Sequence, residues 1–257
     1  MPAPAPPSRF DAVLLDLDGT LVDSLADLRT ALNATLAREG LPPVGTAAMR
    51  AMVGDGAVAL LRDTLNSSGG VLEQENHEDG CTVWDEQARR DLTYIAALVN
   101  DHRAPAFLAV YEPLAAAGTA LFPNAAAAVR DLRAAGYALA IVTNKPARAT
   151  GLILDAVGLA PLIDTVVGGD TLPERKPDPA PLREALRRLR VEPGRAVMVG
   201  DMHHDIAAAR AAGTAAILAR YGYGRPDDAR TADAVLDDIG GLRAMIGALP
   251  AGGTPAS

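Results

Sequence analysis

Five short apolar runs recur along the chain with helix-length segments between them, and this alternation restricts the fold more than any other feature. The first run, Ala12-Val-Leu-Leu-Asp16, has no polar face, as a strand buried on both sides requires, and it continues into Leu17-Asp18-Gly19-Thr20. Similar runs follow at Leu139–Thr143, Thr165–Val167, Ala196–Gly200 and Ala215–Leu218. Ala125–Ala135, Ala147–Val157, Pro181–Arg190 and Ile206–Ala212 read as helices, three of them closed by Gly136, Gly158 or Gly213. The pattern predicts an α/β fold, a Rossmann-like doubly wound parallel sheet.

The alternation stops from about Ser24 to Leu121. There the pattern is helical, over Leu25–Glu39, Ala47–Met52, Val58–Asn66, Asp85–Asn100 and Ala106–Ala116. We therefore expect a core domain over 9–23 and 122–250, a helical cap domain over 24–121, a disordered tail over 1–8 and a flexible C-terminus over 251–257. An insert leaving after the first strand can reach the C-terminal edge of the sheet, where open α/β sheets bind ligands. Within it, Ser67-Ser-Gly-Gly70 through Gly80 is rich in glycine, serine and acidic residues and reads as a loop.

Charge narrows the partners. The 257 residues include 24 Lys or Arg and 32 Asp or Glu, a net charge of −8, with no basic run. A nucleic-acid groove needs clustered cations and is excluded as an expectation; a small anion would have to be met by a local metal or lysine. The lone Cys81 permits no intrachain disulfide and no cysteine zinc site, which fits a reducing cytoplasm. The Pro/Ala-rich start lacks a signal-peptide core, and the most apolar stretch, Ala104–Phe122, is broken by Glu112 and Pro113, so no membrane anchor is expected. Homo-oligomerisation is compatible with this composition.

Four polar clusters fall just after predicted strands: Asp16-x-Asp18-Gly-Thr20, Thr143-Asn144, Lys176-Pro177 and Gly200-Asp201-x-x-x-Asp205. A DxD pair alone is often a turn and a Lys-Pro pair is usually solvated, but four such clusters in this order converge on one sheet edge. With them the sequence resembles the haloacid dehalogenase (HAD) superfamily, and within it most closely the bacterial phosphoglycolate phosphatases. The resemblance rests on Phe10–Ser24, Val142-Thr-Asn-Lys-Pro146, Lys176-Pro-Asp-Pro-Ala-Pro-Leu182, Val199-Gly-Asp201 and Gly222-Tyr-Gly224, with Met52-Val-Gly-Asp-Gly56 and Phe107-x-x-x-Tyr111 in the insert. It implies a HAD core with an inserted cap, and an aspartate nucleophile acting on a small phosphorylated metabolite, 2-phosphoglycolate first.

The chemistry agrees with that implication. A phosphate dianion repels a carboxylate by about 4 kcal/mol per charge pair at about 4 Å and an effective dielectric of about 20, so cations are needed. Asp16 and Asp201, with the backbone carbonyl of Asp18, offer hard oxygen donors for Mg²⁺, with Asp205 beside them on a metal-bound water or on Lys176. Asp16 is the expected nucleophile, Asp18 the acid and then the base, and Lys176 the fixed cation. The Thr143 hydroxyl and the Asn144 N–H would hold the transferring oxygens. For Asp205 the alternative is a plain cap on a helix beginning at Ile206.

Other features carry less. Gly54-Asp-Gly56-Ala-Val-Ala59 imitates a dinucleotide pattern but lies between helices; we read Gly54 and Gly56 as a turn whose N–H groups meet an anionic substrate tail, with a plain interhelical turn as the equal alternative. His203-His204 we read as loop and not as metal ligands. Asp18 favours phosphate chemistry over dehalogenation, since a halide leaves without a proton. The extended segment 66–90 leaves other small sugar or acid phosphates open. A sugar phosphomutase and a catalytically idle sensor that binds a phosphometabolite also stay open.

Overall fold

A computed structural model of the chain describes residues 9–38, 105–224 and 226–249, and between the first two stretches the individual residues 43, 45, 46, 49, 50 and 53. The expected helices between Ala47 and Asn100, Gly54, Gly56, Cys81, the segment 66–90 and both terminal tails lie outside those residues, save Met49 and Arg50.

The strands β1 (Ala12–Leu15), β4 (Ala138–Val142), β5 (Thr165–Val167), β6 (Ala196–Gly200), β7 (Ala215–Ala219) and β8 (Ala234–Leu236) form one sheet in the order β5-β4-β1-β6-β7-β8. Every pairing in it is parallel. The doubly wound sheet is thus as expected, with β8 as an additional edge strand. All four residues of β1 are buried, because the strand is central and both faces are covered.

Alternation along each strand divides the core in two. Ala12 and Leu14 of β1, Ala140 and Val142 of β4, and Met198 of β6 join Leu182, Ala185 and Leu186 of α5 (Ala180–Leu189) and Ile206 and Ala209 of α6 (His203–Ala212) in one apolar cluster. Val13, Leu15, Leu139, Ile141, Val197 and Val199 alternate with them and are fully buried too. Outside that cluster, α3 (Ala125–Ala134), α4 (Ala147–Ala156) and α7 (Leu242–Ala248) supply Val129, Leu132, Ile153, Leu154, Leu242 and Ile246 to the core.

The chain reverses its direction of travel across the sheet beside β1. It goes from β1 to β4 and β5 on one side, then returns to β6 on the other, so the C-terminal ends of β4, β1 and β6 lie side by side at a topological switch point. Two short strands were not expected. β2 (Val22–Asp23) and β3 (Ala120–Leu121) pair antiparallel, joining the segment that leads out of the core to the one that returns.

The fold divides into two compact units, one holding the residues up to Asp27 and from Glu112 onward, the other Leu28–Tyr111. Helix α1 (Leu25–Arg38) buries Leu28, Ala31, Leu32, Thr35 and Leu36, a spacing of three and four that marks one apolar stripe. α2 (Pro105–Gly118) carries Pro113 within it. No helix among the described residues is long and apolar enough to cross a membrane.

Candidate active site

Asp16 follows directly on β1, and its N–H donates to the Val199 carbonyl at 2.9 Å, extending the β1–β6 ladder by one residue. Asp201 follows on β6 in the same way. Both are almost fully buried. Lys176 stands on the loop between β5 and α5 with its side chain wholly buried; its Nζ donates to Asp16 Oδ1 at 2.7 Å and to Asp205 Oδ1 at 2.6 Å. One carboxylate oxygen from each of Asp16, Asp201 and Asp205 lies within 4.8 Å of the other two.

Helix α6 begins at His203, three residues earlier than the expected start at Ile206. His203 and His204 accordingly lie in its first turn and not in a loop. Asp205 caps from inside that turn: its Oδ2 accepts the N–H of Met202 at 3.1 Å while its Oδ1 receives Lys176. Asp205 is thus a partner of Lys176 and not the N-cap of a helix beginning at Ile206, since Met202 holds the cap position and Asp205 stands third in the helix. His204 is buried, with Nε2 3.6 Å from Asp205 Oδ1.

Two glycines let the backbone pass close to these carboxylates. Gly19 has φ +83°, in the left-handed region, and a Cβ there would fall on the Asp201 carboxylate. A Cβ at Gly200 would fall on the carboxylate of Asp205. Asp201 is further held by the Tyr223 N–H at 2.7 Å and the Thr20 hydroxyl at 3.3 Å.

The electrostatics follow from burial. Burial raises Asp16 to about 7, with Asp205 and Asp18 adding to the rise and Lys176 opposing it. Asp201 is raised well above the usual carboxylate range, again by burial first, then by Asp16 and Asp205. For Asp205 burial acts upward, but the positive fields of His204 and Lys176, with hydrogen bonds from Lys176 and Met202, hold it below its ordinary value. Lys176 is raised, because its two carboxylate partners outweigh a burial that acts to lower it. Three buried carboxylates face one buried ammonium and the His204 imidazole beside Asp205, so the cluster keeps a net negative charge with every group ionised. A hard divalent cation with oxygen ligands fits that deficit.

The remaining expected residues take other partners. The carboxylate of Asp18 turns to Lys145, whose Nζ lies 2.8 Å from Oδ2, and to the hydroxyl of Ser24, which donates to Oδ1. Asn144 uses its side-chain amide on the Lys176 backbone, with Nδ2 donating to the Lys176 carbonyl and Oδ1 accepting its N–H, both at 3.0 Å. The Thr143 hydroxyl accepts the Lys145 N–H at 3.2 Å. Sequence reasoning missed Lys145, Ser24 and Tyr223 as members of the site. Lys145 stands inside the quoted Val142–Pro146 motif, and its place next to Thr143-Asn144 was the one signal available.

The family model of haloacid dehalogenase-like hydrolases matches residues 10–213 of the chain. A phosphoglycolate phosphatase of Rhodospirillum rubrum is 42% identical over 243 residues, covering 94% of this chain and 93% of that protein. Among solved structures, a predicted phosphoglycolate phosphatase of Haemophilus somnus is 31% identical with a TM-score of 0.72, covering 93% of this chain and 99% of the other. A variant of CbbY from Rhodobacter sphaeroides in complex with xylulose-1,5-bisphosphate is 27% identical with a TM-score of 0.68, covering 91% and 96%.

Proposed function

This chain belongs to the haloacid dehalogenase-like hydrolases, and from that premise we propose that it is a Mg²⁺-dependent phosphoric monoester hydrolase that converts 2-phosphoglycolate to glycolate and phosphate. The observation that carries the reading is the buried carboxylate of Asp16 at the end of the central strand, 2.7 Å from the Lys176 ammonium and grouped with Asp201 and Asp205. The substrate is supported by the name of the Rhodospirillum rubrum relative.

In this mechanism Asp16 attacks phosphorus in line, forming an aspartyl phosphate as the ester P–O bond breaks. Asp18 gives the departing oxygen its proton. Water then hydrolyses the aspartyl phosphate, Asp18 takes a proton from it, and Asp16 is regenerated. Lys176, the Thr143 hydroxyl and the Asn144 N–H hold the oxygens of the phosphoryl group. The Asp16 and Asp201 carboxylates and the Asp18 carbonyl would hold Mg²⁺, with Asp205 beside them. When bound, the ion neutralises charge on the phosphoryl oxygens. The insert over 24–121 would be the cap that selects the substrate, with Gly54 and Gly56 as the residues proposed for its anionic tail. The setting is a reducing cytoplasm.

The test is phosphate release from a panel containing 2-phosphoglycolate and sugar phosphates, with a chelator control and with Asp16→Asn. We expect metal-dependent release that is fastest on 2-phosphoglycolate and absent in the variant. Retained turnover in Asp16→Asn sinks the nucleophile, isomerised product in place of phosphate points to a mutase, and tight binding without release points to a sensor. The xylulose-1,5-bisphosphate held by the CbbY variant makes sugar bisphosphates the second substrate class to include.

A further inference from the structure

We infer that Lys145 and Ser24 are positioning residues that aim Asp18 at the leaving oxygen; the inference rests on the hydrolase reading above and deepens it. The side chain of Lys145 is 2% exposed, and that of Asp18 is 13% exposed, so this is a nearly buried ion pair and not a surface contact. Its two partners arrive from different elements. Lys145 follows β4, and its backbone is held at both ends, by its own N–H on Thr143 Oγ at 3.2 Å and by its carbonyl, which accepts the Gly169 N–H at 2.8 Å. Ser24 follows β2, and its N–H donates to the Tyr223 hydroxyl at 2.9 Å. That hydroxyl in turn donates to Asp23 Oδ1 at 2.8 Å.

Each carboxyl oxygen of Asp18 therefore has its own donor, Oδ2 from Lys145 and Oδ1 from Ser24. Two donors from two anchored backbones fix the rotation of the carboxyl group as well as its reach. A carboxyl group keeps acceptor lone pairs on both oxygens after it takes up a proton, so the same clamp serves the acid step and the base step. Asp16 is held separately, by Lys176. The two lysines thus divide the two carboxylates of the Asp16-x-Asp18 pair, and loss of Lys145 should disorient the proton donor while leaving the nucleophile in place.

Proton donation matters only when the leaving group needs it. An alkyl ester expels a strongly basic alkoxide and depends on the acid; p-nitrophenyl phosphate expels an anion that leaves unprotonated. The experiment measures kcat/KM, which reports steps up to the first irreversible one, for 2-phosphoglycolate, ethyl phosphate and p-nitrophenyl phosphate. The proteins are wild type, Lys145→Met, Ser24→Ala and, as reference, Asp18→Asn. General acid catalysis contributes about 10²-fold or more. We expect the alkyl-to-aryl ratio of kcat/KM to fall about 30-fold or more in Lys145→Met, and about 5- to 10-fold in Ser24→Ala, in the same sense as in Asp18→Asn.

Loss of the lysine charge acts alike on the equally charged ethyl and p-nitrophenyl phosphates and cancels in their ratio, and Ser24→Ala tests the clamp with the charge intact. An unchanged ratio in both variants overturns the inference. So does a fall confined to 2-phosphoglycolate with ethyl phosphate following the aryl ester, which would mean that Lys145 meets the substrate carboxylate directly. Wild-type protein that hydrolyses none of the three overturns the hydrolase reading itself, and the inference with it.

Discussion

The Lys176 ammonium lies 2.6 Å from Asp205 Oδ1 with both side chains fully buried, so the cation of the site is fixed by the first turn of a helix. Removing one partner of a buried pair costs about 3–5 kcal/mol where the other is left alone; Lys176 would keep Asp16, so losing Asp205 should cost less than that. Asp205→Ala also orphans the Met202 N–H. We expect it to lower thermal stability sharply. Asp205→Asn keeps one acceptor oxygen, for Lys176 or for the Met202 N–H but not for both, and should destabilise less than the alanine, while losing about 10- to 100-fold in metal affinity or activity, the usual scale for a group that supports metal ligands. Metal titration of phosphate release, alongside melting curves, checks both.

Two glycine substitutions should move stability in opposite directions. In Gly200→Ala the new methyl group must displace an Asp205 carboxylate already tied to Lys176 and to the Met202 N–H. Overpacking of this kind costs about 1–3 kcal/mol. Gly151 lies in the middle of α4, and a Cβ there meets nothing within 4 Å. Gly151→Ala should therefore stabilise by about 0.5–1 kcal/mol through helix propensity alone. Denaturant unfolding of the two variants gives the signs directly, and a destabilised Gly151→Ala would contradict the open surroundings of that residue.

Asn144 separates a backbone role from a side-chain role. Its N–H is the group assigned to the phosphoryl oxygens, and its amide holds both backbone polar groups of Lys176. Asn144→Ala preserves the first and abolishes the second. Two lost hydrogen bonds at about 1 kcal/mol each, added to a displaced Lys176, predict a modestly less stable protein whose kcat falls more than its KM rises. A variant with wild-type kcat would show that the lysine needs no such support.

The strand-end carboxylates were legible because each interrupts an apolar run that only a buried parallel strand explains; Asp16 after Leu15 and Asp201 after Gly200 are the plainest cases. Lys176 and Asp205 were legible by their order behind predicted strands. What stayed hidden depends on contacts between residues far apart in the chain. Nothing near Tyr223 announces that its hydroxyl reaches Asp23 and Ser24, and Lys145 beside Pro146 has the composition of an ordinary surface turn. The start of α6 was misplaced because its capping carboxylate sits three residues past the cap position and not at it. β2 and β3, at two residues each, are too short for any period to register.

The last prediction concerns pH and the metal. Burial raises Asp16 from 3.8 to about 7 in the metal-free protein, and Asp201 moves in the same direction. A carboxyl group raised in the folded state binds more protons there than in the unfolded chain. Its contribution to stability is therefore complete below about pH 4 and is lost as pH rises through about 7. A divalent ion requires the same carboxylates ionised, so its binding expels those protons and strengthens as pH rises. The increase in melting temperature on adding Mg²⁺ should then be larger at about pH 8 than at about pH 5.5, and binding in weak buffer should release protons near neutrality. Asp201→Asn removes one of the two raised carboxyl groups and should reduce both the increment and the proton release. A melting increment constant across that range would mean that the carboxylates are already ionised without metal, and that the buried negative charge is balanced in some other way.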